Sequence, residues 1–183
     1  MSEKEITTRE KAKRAKRRQI VQSAMTCFIE KGIAQTGIRD IANHAKISLG
    51  NLYNHFPSKD ALIAEIAAIE AAEIAPLISE LAEGLSLEKF IVRYLKQISK
   101  IEHAVLSIEI LAASLRQPGL AKPFDANRSA LATAIQNQTN ANAVDIEILI
   151  DAIEALGMRC GLEQRKPSRK ELDRLHKIAK TLA

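Results

Sequence analysis

The stretch from Thr36 to Lys59 constrains the fold of this chain most tightly. Its apolar residues Ile38, Ile41, Ala42, Ala45, Ile47, Leu52 and Phe56 recur at helical spacing on both sides of a break near Lys46. Thr36 and Ser48 can each cap a helix, so the segment spells two short helices joined by a tight turn. With the apolar set turned inward, Thr36, Arg39, Leu49, Asn51, Tyr53, Asn54, His55 and Lys59 are left outside. The two sets share no residue, and this is the plan of a helix-turn-helix DNA reader.

Charge supports the same expectation. Residues 1–59 hold twelve Lys and Arg against five Asp and Glu, whereas residues 60–183 hold fifteen against seventeen. Six of the eight residues from Lys11 to Arg18 are basic, and they lead into an apolar helix face at Ile20, Val21, Ala24 and Phe28. A basic arm over residues 1–18, with Arg17 and Arg18 nearest the reader, is expected to neutralise phosphates or enter a minor groove.

The segments Glu30-Lys31-Gly32, Thr36-Gly37-Ile38-Arg39-Asp40-Ile41-Ala42 and Ala45-Lys46-Ile47-Ser48-Leu49-Gly50-Asn51-Leu52-Tyr53-Asn54-His55-Phe56-Pro57-Ser58-Lys59 together resemble the N-terminal signature of the TetR family of transcriptional regulators. The resemblance covers about the first third of the chain. It implies a dimer whose third helix enters the major groove, with DNA contacts from Thr36, Arg39, Ser48, Leu49, Gly50, Asn51, Tyr53, Asn54, His55 and Lys59. Asn51 suits a bidentate pair with adenine, Leu49 a thymine methyl, and Arg39 guanine or a phosphate. Tyr53, His55, Thr36 and Lys59 suit the backbone. Gly50 is expected to allow close approach to DNA or to the first helix. One departure is Lys46, where the family carries glycine; a left-handed backbone there would cost about 1 kcal/mol.

No alternation at period two is sustained, so the fold class is all-α with about nine helices. The first runs from about Lys13 to Lys31 and stops at Gly32. Residues 19–59 form the head and 60–183 a helical body for ligand binding and dimerisation. A long fourth helix opens at Pro57-Ser58 and ends at Gly84, and Pro76 should bend or restart it near Glu73 to Ala75. Later starts fall at Ser86, near Glu102, around Lys122 and at Asn142, and Ser168-Arg169-Lys170-Glu171 reads as a capping box for the last helix.

Within the body, residues 86–138 correspond by family analogy to a ligand site, with Phe90, Tyr94, Leu106, Ile110 and Phe124 as lining and His103 and Asn127 as orienting polar groups. Glu102, Glu109, Arg116 and Arg128 are further polar candidates there, and Ala113 a further apolar one. Only six Phe and Tyr occur in the chain, so the expected effector is an apolar small molecule in a mainly aliphatic pocket. The eighth helix carries one apolar stripe at Ile146, Leu149, Ile150, Ile153, Gly157 and Cys160 and a second at Ile148, Ala152, Ala155 and Met158. With Leu172, Leu175, Ala179 and Leu182 of the last helix, the first stripe can form a homodimer seam, which the resemblance favours, or be consumed in a monomeric core.

Cys27 and Cys160 lie far apart and read as reduced core thiols, with a redox role as the alternative. No catalytic constellation, cofactor motif or metal spacing is present, which argues against an enzyme. The start Met1–Glu5 has no signal-peptide core and no apolar run reaches the ~18 residues of a membrane span, so a cytoplasmic protein without membrane partners is expected. The partners expected are a double-stranded DNA operator, the effector and a second copy of the chain. An effector-independent architectural DNA-binding protein is the alternative.

Overall fold

The computed structural model describes residues 7–182. Among these the secondary structure is helical throughout: α1 (Thr8–Lys31), α2 (Ile38–His44), α3 (Leu49–Tyr53), α4 (Lys59–Ala82), α5 (Leu87–Ile98), α6 (Ile101–Ser114), a 3-10 turn (Pro118–Leu120), α7 (Lys122–Gln136), α8 (Ala143–Leu162) and α9 (Arg169–Leu182). The chain forms two compact units that divide between Ile66 and Ala67, within α4.

In the head, α1 begins earlier than its apolar face suggests. Thr7 and Glu10 close a capping box, in which the Glu10 carboxylate accepts from the Thr7 backbone N–H at 2.9 Å. The basic run Lys11–Arg18 of the expected arm is therefore part of α1; residues 1–6 lie outside the described residues. Gly32 ends α1 at φ 80°, a conformation that suits glycine. The core is closed by Ile20, Ala24 and Phe28 of α1 against Ile41, Leu52 and Phe56, all essentially buried, while Ile38 and Ile47 are half-buried. The turn between α2 and α3 does place Lys46 at φ 53°. Gln19 steadies it by donating to the Ala45 carbonyl at 2.8 Å.

The body is built around α8, which packs against α5, α6, α7 and α9. Ile146, Leu149, Ile150, Ile153, Leu175 and Leu182 all lie in the chain's own core, and Leu172 packs against it half-buried. The dimer seam assigned to them is thus consumed within one chain. Gly157 lies buried where α8 crosses α5, and a Cβ there would fall inside the Ile98 side chain. The face of α8 left to solvent carries Val144, Ile148, Ala155 and Leu162, with Ala152 half-covered.

Pro76 lies inside a helix that remains continuous, so the expected restart does not occur. Side chains from neighbouring helices grip the turn before it. Gln97 of α5 donates to the Glu73 carbonyl at 2.7 Å, and Asn127 of α7 donates to the Ala71 carbonyl at 2.8 Å. His103 Nδ1 of α6 meets the buried Glu70 carboxylate at 2.6 Å. Asn142 caps α8 by accepting from the Asp145 N–H at 3.0 Å, and Ser168 and Glu171 form the capping box expected for α9.

Candidate functional site

Two places carry chemistry, one in each unit. In the head, the N-terminal end of α3 is set by Ser48, whose Oγ accepts from the Asn51 backbone N–H at 3.2 Å. Leu52 and Phe56 anchor the segment below. Arg39, Ser48, Gly50, Asn51, Tyr53 and Asn54 remain exposed, and Leu49 is half-buried. A Cβ on Gly50 would meet no protein atom, which removes the close approach to α1 as its reason and leaves the solvent side. Exposed Lys11, Lys13, Arg14, Arg18 and Lys46 complete the basic character of the head.

Four of the residues expected on the DNA side are engaged by the fold. Thr36 is 1% exposed, and its Oγ1 lies 2.8 Å from the Gly32 carbonyl and 3.1 Å from that of Cys27, so its hydroxyl closes the α1–α2 junction. The α2 cap is Gly37, whose N–H donates to Asp40 at 2.8 Å. Arg17 pairs with Glu65 at 2.9 Å, donates to the His55 carbonyl at 2.8 Å and stacks on Phe56 at 4.0 Å. It is a packing member of the head, which a pattern of consecutive basic residues does not reveal. Lys59 Nζ donates to the Ile33 carbonyl. His55 is half-buried; burial, then the charges of Lys13, Arg17 and Lys16, push its pKa below the ordinary histidine value. A neutral imidazole brings a hydrogen bond to a phosphate but no charge.

In the body, a cavity of about 270 Å³ opens among α5, α6, α7 and α8. Its apolar wall is Ile98, Ala104, Leu111, Phe124 and Met158. Its polar wall is Tyr94, His103, Ser107, Asp125, Arg128 and Glu154. Of the residues expected at a ligand site, Tyr94, His103 and Phe124 line this cavity. Phe90, Leu106 and Ile110 are fully buried core residues outside the lining, and Asn127 is spent on Ala71. The expectation of a mainly aliphatic pocket gives way to a mixed one.

Glu154 organises the polar wall. Its carboxylate accepts from Tyr94 Oη at 3.3 Å and from Arg128 Nη1 at 2.8 Å. Arg128 also reaches Glu147 at 2.5 Å and Asp151 at 2.6 Å. The spacing of Glu147, Asp151 and Glu154 places them on one face of α8, a helical signal present in the sequence that the apolar stripes obscured. Burial pushes the Glu154 carboxyl above its ordinary pKa, against the pull of Arg128. Burial, then the Glu154 charge, pushes the Tyr94 phenol upward as well, so Tyr94 keeps the proton that it donates, while burial works against the Glu154 carboxylate that its two hydrogen bonds favour.

Cys27 and Cys160 are free and buried, and burial raises both thiols. No group of three or more metal-ligating side chains occurs among the described residues. No helix among them is long and apolar enough to cross a membrane.

Residues 20–66 match the family described as "Bacterial regulatory proteins, tetR family". Over 54 residues the chain is 43% identical to the HTH-type transcriptional repressor KstR2 of Rhodococcus jostii, a match covering 30% of this chain and 26% of that protein. Over 107 residues it is 29% identical to the HTH-type transcriptional regulator UidR of Escherichia coli, covering 57% and 55% respectively. The matches thus span about a quarter of one relative and just over half of the other. Salmonella enterica GusR has the same fold at a TM-score of 0.76 and 20% identity, with 98% of each chain covered. A transcriptional regulator from Aquifex aeolicus matches with the same TM-score at 19% identity, covering 92% of this chain and 99% of that one. Residues 20–66, built as a helix-turn-helix head, are thus similar to the DNA-binding part of the TetR family of bacterial regulators, and the chain as a whole shares the all-helical fold of these solved regulators.

Proposed function

We propose that this protein is a ligand-responsive transcriptional repressor that binds a pseudo-palindromic operator as a homodimer in the cytoplasm. The observation that carries the reading is the exposed row Ser48, Gly50, Asn51, Tyr53 and Asn54 over the buried Leu52 and Phe56. This puts a polar surface with fixed register where a major groove can receive it. Asn51 and Arg39, with Leu49 at the edge, read bases; Tyr53 and the exposed cations of α1 hold phosphates. The reading assigns no catalysis, in keeping with a family of non-enzymatic regulators.

Dimerisation is assigned to the outer face of α8, through Val144, Ile148, Ala152, Ala155 and Leu162, since the inner stripe is already buried. The body cavity is the effector site. Support for a response lies in the grip on α4: His103 lines the cavity, Gln97 is adjacent to Ile98, and Asn127 is adjacent to Arg128. All three hold the Glu70–Glu73 turn of a helix that begins in the head. An architectural protein without an effector would have no use for such a wall.

The test is selection of a consensus operator followed by footprinting, with half-site centres ~34–36 Å apart or a multiple of that. Asn51→Ala should cost about 1–3 kcal/mol on that operator and relax discrimination at one base pair, whereas Arg18→Ala should weaken operator and random DNA alike. Footprints without two-fold symmetry, or an unchanged consensus for Asn51→Ala, would overturn the proposal.

A further inference from the structure

Reading the cavity as an effector site leaves the ligand's chemistry open, and the charges around the cavity narrow it. Arg128 is the only lysine or arginine in the lining, and its guanidinium is already committed. Nε and Nη2 both donate to Glu147, Nη2 also to Asp151, and Nη1 to Glu154. Four of its five N–H groups are thus spent on protein carboxylates, which leaves little to recognise an anionic ligand. Against this one cation stand Glu147, Asp151, Glu154 and, at the exposed rim, Asp125. His103 adds no surplus of positive charge, because it faces the buried Glu70 carboxylate. Burial keeps the Glu154 carboxyl above its ordinary pKa even beside Arg128, so its charge is under-compensated where it sits.

The rest of the lining supplies an apolar seat. Phe124, Leu111, Ile98 and Met158 belong to it, and Phe124 adds an aromatic ring, a group that attracts a cation. The volume of about 270 Å³ lies just under the ~300 Å³ at the small end of ordinary ligand sites, which limits the ligand to a compact molecule.

We infer that the body cavity is a site for a compact organic cation, an amine with an apolar or aromatic body, whose charged head is held by Glu154 and Asp125 and whose body lies on Phe124 and Leu111. The inference rests on the cavity being the effector site, and it is tested separately from DNA binding.

The experiment is calorimetric titration of the DNA-free protein with three probes of similar shape: phenethylamine, 2-phenylethanol and phenylacetate. The amine should bind at least about tenfold more tightly than the alcohol, with the acid weakest. Glu154→Gln keeps an acceptor for Tyr94 but removes the charge, and Asp125→Asn neutralises an exposed carboxylate in the first turn of α7. Each should lower amine affinity several-fold without lowering that of the alcohol, and the double variant should bring amine and alcohol within about threefold of each other. Equal binding of the three probes, preference for the acid, no amine binding up to ~10 mM, or undiminished selectivity in the double variant would overturn the inference. Repeating the titration with operator DNA separates the two claims. Amine binding that leaves operator affinity unchanged would sink the effector reading and spare the cation site, whereas an operator response only to the neutral or acidic probe would do the reverse.

Discussion

The head buries apolar side chains and turns its polar chemistry outward, while the body draws an arginine, a tyrosine and carboxylates into the wall of a cavity. The head can do so because its task lies on its surface: Leu52 and Phe56 hold α3 from beneath, and Asn51 and Tyr53 stand above. In the body, Arg128 is satisfied only by side chains from another helix, at Glu147, Asp151 and Glu154. The difference is one of range. A helix-turn-helix is specified by neighbours in sequence, whereas a cavity is specified by where four helices meet.

The largest effects should separate the two units. Phe56→Ala removes a ring that is 1% exposed and lies under Arg17, so it should cost ~3–5 kcal/mol and abolish operator binding while sparing the body cavity. Gly157→Val forces a side chain into Ile98 and should cost at least ~1–3 kcal/mol, with the losses reversed. Denaturation followed by DNA binding and ligand titration checks both. If each variant lost both activities, the two units would be folding as one.

A smaller effect is expected at Lys46, whose φ of 53° imposes the left-handed conformation. Lys46→Gly should stabilise the head by about 1 kcal/mol in urea titrations and at the same time weaken random-DNA binding through loss of an exposed charge. Stabilisation without loss of DNA affinity would place Lys46 off the DNA face.

The smallest effect lies in the body and depends on pH. Hydrogen bonds from Arg165, then from the Ser168 backbone and hydroxyl, lower the Glu171 carboxyl from an ordinary 4.5 to about 2. Its folded pKa is depressed, so its contribution to stability is present above about pH 4.5 and is lost as pH falls toward 2. Glu171→Gln should flatten the pH dependence of the denaturation midpoint in that window. An identical slope would show that the capping box contributes no proton linkage.

What was legible in the sequence follows the same division. Ser48 as a cap, the left-handed turn at Lys46, the capping box at Ser168 and the inward set around Leu52 are local patterns, and the structure has each of them. Thr36 and Arg17 read as contacts because a polar or charged residue beside a reader looks like one, and the sequence does not show that the fold engages both. Their bonds run to Gly32 within the same turn and to Glu65 forty-eight residues away. The α8 stripe shows the limit most clearly. Periodicity states that Ile146, Leu149, Ile150 and Ile153 are buried, but it does not state against which chain, and here they are buried against their own. Pro76 was legible as a lost backbone donor, whereas the compensating grip of Gln97 and Asn127 on neighbouring carbonyls depends on tertiary packing.

Helix α3 has only five residues, Leu49–Tyr53, and of these Leu52 alone is fully buried. Most of this short element is therefore free to vary without any cost in packing. Duplicated copies of such a gene could diverge in the sites they recognise through changes at Asn51, Tyr53 and Asn54 alone, each keeping the same scaffold. A genome can in this way acquire new regulatory addresses faster than it acquires new folds.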